Sequence, residues 1–192
     1  MWIDRVRRER QMESVFRTSV QLFQPEVVIL MGDLFDEGKW AKKPEWDSTI
    51  ERFHRIFAMP EGVPMIPIIG NHDIGFHEMA RPFLVQRFEE AFGPAVNMRV
   101  VKNITFVSVN SMAFVDNCQM CTTARNRLTN ITSQLNAMPK RKKPMQKKGS
   151  KGIDLSSERP ILLSHFPLYR ASEGMCVQQD SPSITAEHMV RD

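Results

Sequence analysis

Gln24-Pro25-Glu26-Val27-Val28-Ile29-Leu30-Met31-Gly32-Asp33-Leu34-Phe35-Asp36 is the stretch on which the fold turns. The unbroken apolar run 27–31 fits a short strand covered on both faces, as in a parallel sheet flanked by helices. Gly32-Asp33 follows at once, and polar residues just past the carboxyl end of such a strand lie where α/β folds bind ligands. Upstream, Met12, Val15, Phe16, Val20 and Phe23 fall at helical spacing within residues 3–23. Pro25 ends that helix, because proline lacks the amide donor and restricts the residue before it.

The same alternation continues downstream. Asp47 or Ser48 is expected to cap a second helix whose buried stripe is Ile50, Phe53, Ile56 and Phe57, stopped by Pro60. Residues 63–69 read as a second apolar strand, in which Pro64 and Pro67 each remove a ladder donor, and lead into Gly70-Asn71-His72-Asp73. A third helix is expected over 81–92, with Pro82 in its first turn and Phe83, Leu84, Phe88 and Phe92 facing inward. Residues 98–101 and 104–110 form two strands around a tight Lys102-Asn103 turn, 122–138 a helix, and 160–164 a last strand ending at His165. Helix–strand alternation followed by a hairpin defines an α/β chain with mixed sheets.

Composition sets the outer limits. In 192 residues, 42% hydrophobic and 25% charged, there is enough apolar material for one domain with a core. No run approaches the roughly 18 apolar residues of a membrane span, and the N-terminus is too charged to be a signal peptide's apolar core. Of the net charge of +4, seven positive charges belong to Lys140, Arg141, Lys142, Lys143, Lys147, Lys148 and Lys151, so the remainder stands at −3. That basic run has no interleaved aromatic residues for base stacking, so no nucleic-acid partner is expected. It reads as a mobile loop over 139–157, and a poorly ordered tail is expected over 171–192. Cys118 and Cys121 form a CxxC without a second pair at zinc-finger spacing; two thiols or a disulfide are favoured over zinc.

Three strand ends thus carry a carboxylate (Asp33), an amide (Asn71) and an imidazole (His165). That mixed oxygen and nitrogen set suits Mn²⁺, Fe or Zn²⁺ better than Ca²⁺. Each alone has a plainer reading: a turn or cap for Asp33, a polar turn for 71–73, a packed histidine for His165. Together they are hard to explain by chance.

Gly32-Asp33-Leu34-Phe35-Asp36, Gly70-Asn71-His72-Asp73 and His165 resemble three of the five motif blocks of the calcineurin-like metallophosphoesterases, over about residues 2–170. The resemblance implies an αββα sandwich and two divalent cations, Mn²⁺ foremost. It makes Asp33 the bridge between the cations and gives Asn71 and His165 to the second. It makes His72 the catalytic histidine, acting on the phosphate or the leaving alkoxide, with Asp73 orienting it. His77 is a possible contact for the substrate phosphate, and Asp36 a support for the Asp33 loop.

The flanking residues resemble the GPI-anchor-remodelling branch of that family. This implies ethanolamine-phosphate on the glycan of GPI-anchored proteins as substrate, and a lumenal site at ER exit sites and the Golgi. Membrane attachment would come through segments outside this chain. Asn103-Ile104-Thr105 and Asn130-Ile131-Thr132 are candidate glycosylation sequons. The family's Asp-x-His block is absent from residues 1–31, and His188 has no histidine two residues on. The expectation is therefore a partial domain over 1–170 with part of the two-metal centre, a poor catalyst by itself. The alternative is a non-catalytic interaction or regulatory product of the same fold.

Overall fold

A computed structural model describes residues 2–76, 79–114, 117–137 and 159–166. The basic stretch 139–157, the tail 171–192 and His77 lie outside the described residues. The order is α1 (Trp2–Phe23), β1 (Val28–Leu30), a 3-10 turn (Gly38–Trp40), α2 (Lys43–Ile56), β2 (Met65–Pro67) and the single-turn α3 (Asn71–Ile74). There follow α4 (Pro82–Phe92), β3 (Asn97–Val101), β4 (Ile104–Ser108), a second 3-10 turn (Ser111–Phe114), α5 (Gln119–Ala137) and β5 (Ile161–Leu163). The chain is α/β with parallel and antiparallel pairings.

β1 and β2 pair in parallel, Ile29 opposite Ile66. The ladder reaches past the regular strand on both sides, with Val28 N–H donating to Pro64 O at 3.0 Å and Ile68 N–H to Leu30 O at 2.8 Å. Pro64 and Pro67 have no amide to give, which confines β2 to three residues where the apolar pattern spans seven. In the other sheet β3 and β4 are antiparallel and β5 runs parallel to β4. The β3–β4 hairpin turns at Lys102 and Asn103, both left-handed at φ 48° and 68°, the conformation a two-residue hairpin turn of this hand requires.

Strand alternation divides the core. Phe106 points into a cluster with Ile66, Ile68 and Leu163, joining the two sheets. Its neighbour Val107 points the other way, into the larger cluster that holds Phe35, Trp46, Phe53, Leu84 and Phe88. Helix α1 lies against α2 through the edge-to-face pair Phe16–Phe57 at 5.1 Å and through Glu9, which takes Arg55 at 3.0 Å. β5 is the outer strand of its sheet, with Ile161 and Leu162 46% and 49% exposed.

Two expectations change. Helix α2 starts four residues before the Asp47 cap, at Lys43, because Pro44 fits the first turn and Glu45 accepts from the Lys42 amide at 2.9 Å. Asp47 instead pairs with Lys43 at 2.8 Å on the helix surface. Phe83 faces solvent, 55% exposed, while Leu84 and Phe88 are buried; the inward stripe of α4 runs through residue 87 instead.

Candidate metal centre

The carboxyl ends of β1, β2 and β5 converge, and each delivers one of the three predicted ligands. After β1 the chain turns through Gly32 (φ +99°) and Asp33 (φ +51°). Asp33 tolerates the left-handed region because a short polar side chain does so better than most. Gly32 leaves room for the His165 ring: a Cβ there would lie 2.2 Å from His165 Nδ1. After β2, Gly70 passes so close to Asp33 that a Cβ would lie 2.2 Å from both its amide nitrogen and its Oδ1.

His165 Nδ1 is 2.7 Å from the Met31 carbonyl. A carbonyl only accepts, so Nδ1 carries the proton, and in the neutral ring Nε2 presents a lone pair. Nε2 lies 3.2 Å from Asn71 Oδ1, with that amide oriented oxygen-inward, and 3.4 Å from Asp33 Oδ1. His165 Nε2 thus faces two oxygen acceptors at distances that repel unless a cation lies among them. Ligand atoms about 2.1 Å from one metal ion and about 90–110° apart are roughly 3.0–3.4 Å from each other, so both separations from His165 Nε2 fit a shared cation. Among the described residues no group of three His, Cys, Asp or Glu side chains forms such a cluster; here the third donor is an amide. Asp33, Asn71 and His165 would hold the ion, which when bound polarises a phosphoryl oxygen and acidifies a bound water.

His72 stands beside this trio. Its backbone N–H donates to Asp33 Oδ1 at 2.9 Å, fixing the carboxylate. Its ring Nδ1 donates to the Asp36 carbonyl at 2.9 Å and lies 3.2 Å from the Asp36 carboxylate. That leaves Nε2 as the acceptor of the neutral ring, the form that can exchange a proton with a substrate oxygen.

Asp73 does not orient His72, as expected from the sequence; Asp36 does. The Asp73 side chain is fully buried, and its two oxygens accept from the Phe35 amide at 3.0 Å and the Gly70 amide at 2.8 Å. It therefore ties the Asp33 loop to the start of α3. Burial pushes its carboxyl up from 3.8 to about 7, helped by the charge of Asp33 and opposed by the two amides and His165. Between about pH 4 and 7 the folded chain keeps a proton here that the unfolded chain releases. The contribution of Asp73 to stability is thus greatest in acid and declines as pH rises through that window, by at most about 1.4 kcal/mol per pH unit. Asp73→Asn should remove that slope and cost about 1–3 kcal/mol at neutral pH, since an amide nitrogen would face a backbone donor. Urea unfolding across pH 4.5–7.5 in chelator would show it; equal slopes in both proteins would contradict the assignment.

Two positioning residues escaped the sequence reading. Arg87 on α4 is half-buried, and its two side-chain hydrogen bonds go to carbonyls rather than to a carboxylate. Nη1 donates to Ala41 O at 2.7 Å, Nη2 donates to Gly38 O at 2.6 Å, and the group stacks 4.2 Å over Trp46. It clamps the turn that follows Asp36. The signal was its place at a core position, three residues after Leu84 and just before Phe88. Ser111, past the end of β4, accepts from the Phe166 amide at 3.1 Å and so steadies the residue after His165. Asn103 and Asn130 are both exposed, but the Thr132 hydroxyl of the second sequon donates to Leu128 O at 2.9 Å within α5.

Residues 8–188 match the calcineurin-like phosphoesterase family, and the chain belongs to that family. It is similar to the Metallophosphoesterase 1 homolog of Drosophila melanogaster, 40% identical over 187 residues, 96% of this chain and 50% of that protein. It is likewise similar to Metallophosphoesterase 1 of Ailuropoda melanoleuca, 41% identical over 184 residues (95% and 46%), and of Danio rerio, 36% identical over 193 (98% and 50%). The chain spans about half the length of these relatives. No solved structure matches it significantly.

Proposed function

We propose that this chain carries part of the site of a Mn²⁺-dependent phosphodiesterase that removes ethanolamine-phosphate from GPI-anchor glycans on the lumenal side of ER exit sites and the Golgi. The observation that carries the phosphodiesterase reading is the convergence of Asp33 Oδ1, Asn71 Oδ1 and His165 Nε2 beside His72. The substrate and the compartment rest on the similarity to the Metallophosphoesterase 1 proteins. In this reading Asp33, Asn71 and His165 would hold a cation that supplies Lewis-acid stabilisation of the phosphoryl charge, and His72 handles the proton at the alkoxide. A second cation would need ligands beyond those three, so the chain alone should bind one Mn²⁺ and turn over slowly. No helix among the described residues is long and apolar enough to cross a membrane, so attachment to one would come from elsewhere in the protein.

The test pairs metal analysis of the purified chain with mass spectrometry of a GPI glycan bearing ethanolamine-phosphate. One Mn²⁺ per chain, binding of the glycan and slow loss of a single ethanolamine-phosphate are expected. Two Mn²⁺ with full turnover would overturn the partial-site reading. One Mn²⁺ without any binding of the glycan would overturn the substrate.

A further inference from the structure

Cys118 and Cys121 are joined in a disulfide at the start of α5. The Thr122 amide donates to Cys118 O at 2.9 Å, so Cys118 occupies the helix N-cap and Cys121 lies within the first turn. The two sulfurs are unlike. Cys118 is half-buried, whereas Cys121 is 1% exposed and part of the core around Met120 and Ala124. The Cys121 backbone N–H points at Cys118 Sγ, 3.1 Å away.

We infer that Cys118-x-x-Cys121 is a thiol–disulfide exchange site whose partner is a small thiol of the glutathione class, with Cys118 the reactive sulfur. A structural disulfide of a secreted protein typically closes a long loop or lies beyond reach of a thiol. This one closes a loop of only two intervening residues on a helix N-terminus, with Cys118 half-buried where Cys121 is enclosed. A thiolate on Cys118 would have an N–H donor already aimed at it, together with the partial positive charge of the helix start. In the first step an incoming thiolate bonds to Cys118 Sγ while the Cys118–Cys121 bond breaks. The electron pair leaves on Cys121 Sγ, which takes up a proton. A second small thiolate then attacks the outer sulfur of the mixed disulfide, and Cys118 leaves as thiolate and is protonated in turn. Two small thiols become one disulfide and the protein's disulfide becomes two thiols, so two electrons and two protons balance.

The experiment uses the full chain carrying Cys176→Ser, so that Cys118 and Cys121 are the only cysteines. It is equilibrated in mixtures of reduced and oxidised glutathione, acid-quenched, alkylated and weighed, with circular dichroism to show that it stays folded. Reversible opening of the folded chain within the glutathione range is expected. In addition, Cys121→Ser should form a single glutathione adduct on Cys118 at least tenfold faster than Cys118→Ser forms one on Cys121. A disulfide that stays closed in every mixture and opens only in denaturant would overturn the inference. So would equal adduct rates at the two positions. The glutathione titration needs neither serine variant of the pair, so misfolding of those variants would not shield the idea.

Discussion

Asp33→Asn should weaken Mn²⁺ binding by about 100-fold or more while leaving the thermal midpoint almost unchanged. Asp33 is the only anionic member of the trio, and it lies 3.4 Å from His165 Nε2. An asparagine there keeps an oxygen for the His72 amide, which now bonds Asp33 Oδ1 at 2.9 Å. It also tolerates the left-handed φ of +51°. The change therefore removes charge and little else. Loss of residues that merely orient metal ligands typically costs 10–100-fold in affinity, so loss of the one charged ligand should reach the upper end of that range or pass it. Asp33→Ala would add backbone strain of about 1 kcal/mol and release the His72 amide, confusing the two effects. Calorimetric Mn²⁺ titration of the asparagine variant decides the matter: affinity within a few-fold of the parent would remove Asp33 from the ligand set.

Gly70→Ala should have the largest effect on stability, about 3 kcal/mol, or roughly 6–12 °C in thermal midpoint for a domain of this size. Gly70 has φ −116°, a region alanine adopts freely, so the cost is steric. The added methyl would meet the Asp33 backbone nitrogen and Oδ1, both at 2.2 Å, and the strand ends would have to part. Metal binding should be lost with the fold's tight closure. Gly62→Ala is the matched control. Gly62 has φ +80° with nothing within 4 Å of a built Cβ, so only a backbone cost of about 1–2 kcal/mol is expected. Equal losses in the two variants would mean that the approach of Gly70 to Asp33 has no special cost.

Much of this site was legible in the sequence because its logic is local. An apolar run followed by Gly-Asp, another by Gly-Asn-His-Asp and a third by His give both strand and candidate ligand within a few residues. The Lys102-Asn103 turn was equally plain, lying between two apolar runs. What the sequence hid depends on direction in space. His72 and Asp73 are neighbours on one turn of helix, about 100° apart, so one faces the metal ligands and the other is buried against the Phe35 and Gly70 amides. Their adjacency suggested a pair, and the geometry separates them. Asp36 could not be placed beside His72 without knowing how the loop after β1 folds back. Arg87 went unnoticed because arginine on a helix usually faces water. Here Trp46 and two carbonyls take its charge instead.

The bond between His165 and the Met31 carbonyl joins residues 134 apart. Drawing the ends of so long a loop together in an unfolded chain costs roughly 4 kcal/mol of entropy, whereas the β3–β4 hairpin closes over two residues. The hairpin and α1 can therefore form early, and the third ligand should arrive last, since distant contacts form slowly. Capture of Mn²⁺ during refolding should then lag behind the recovery of helix signal, with a rate independent of metal concentration. A lag that shortened as Mn²⁺ was raised would instead mean that the ion itself recruits the strand.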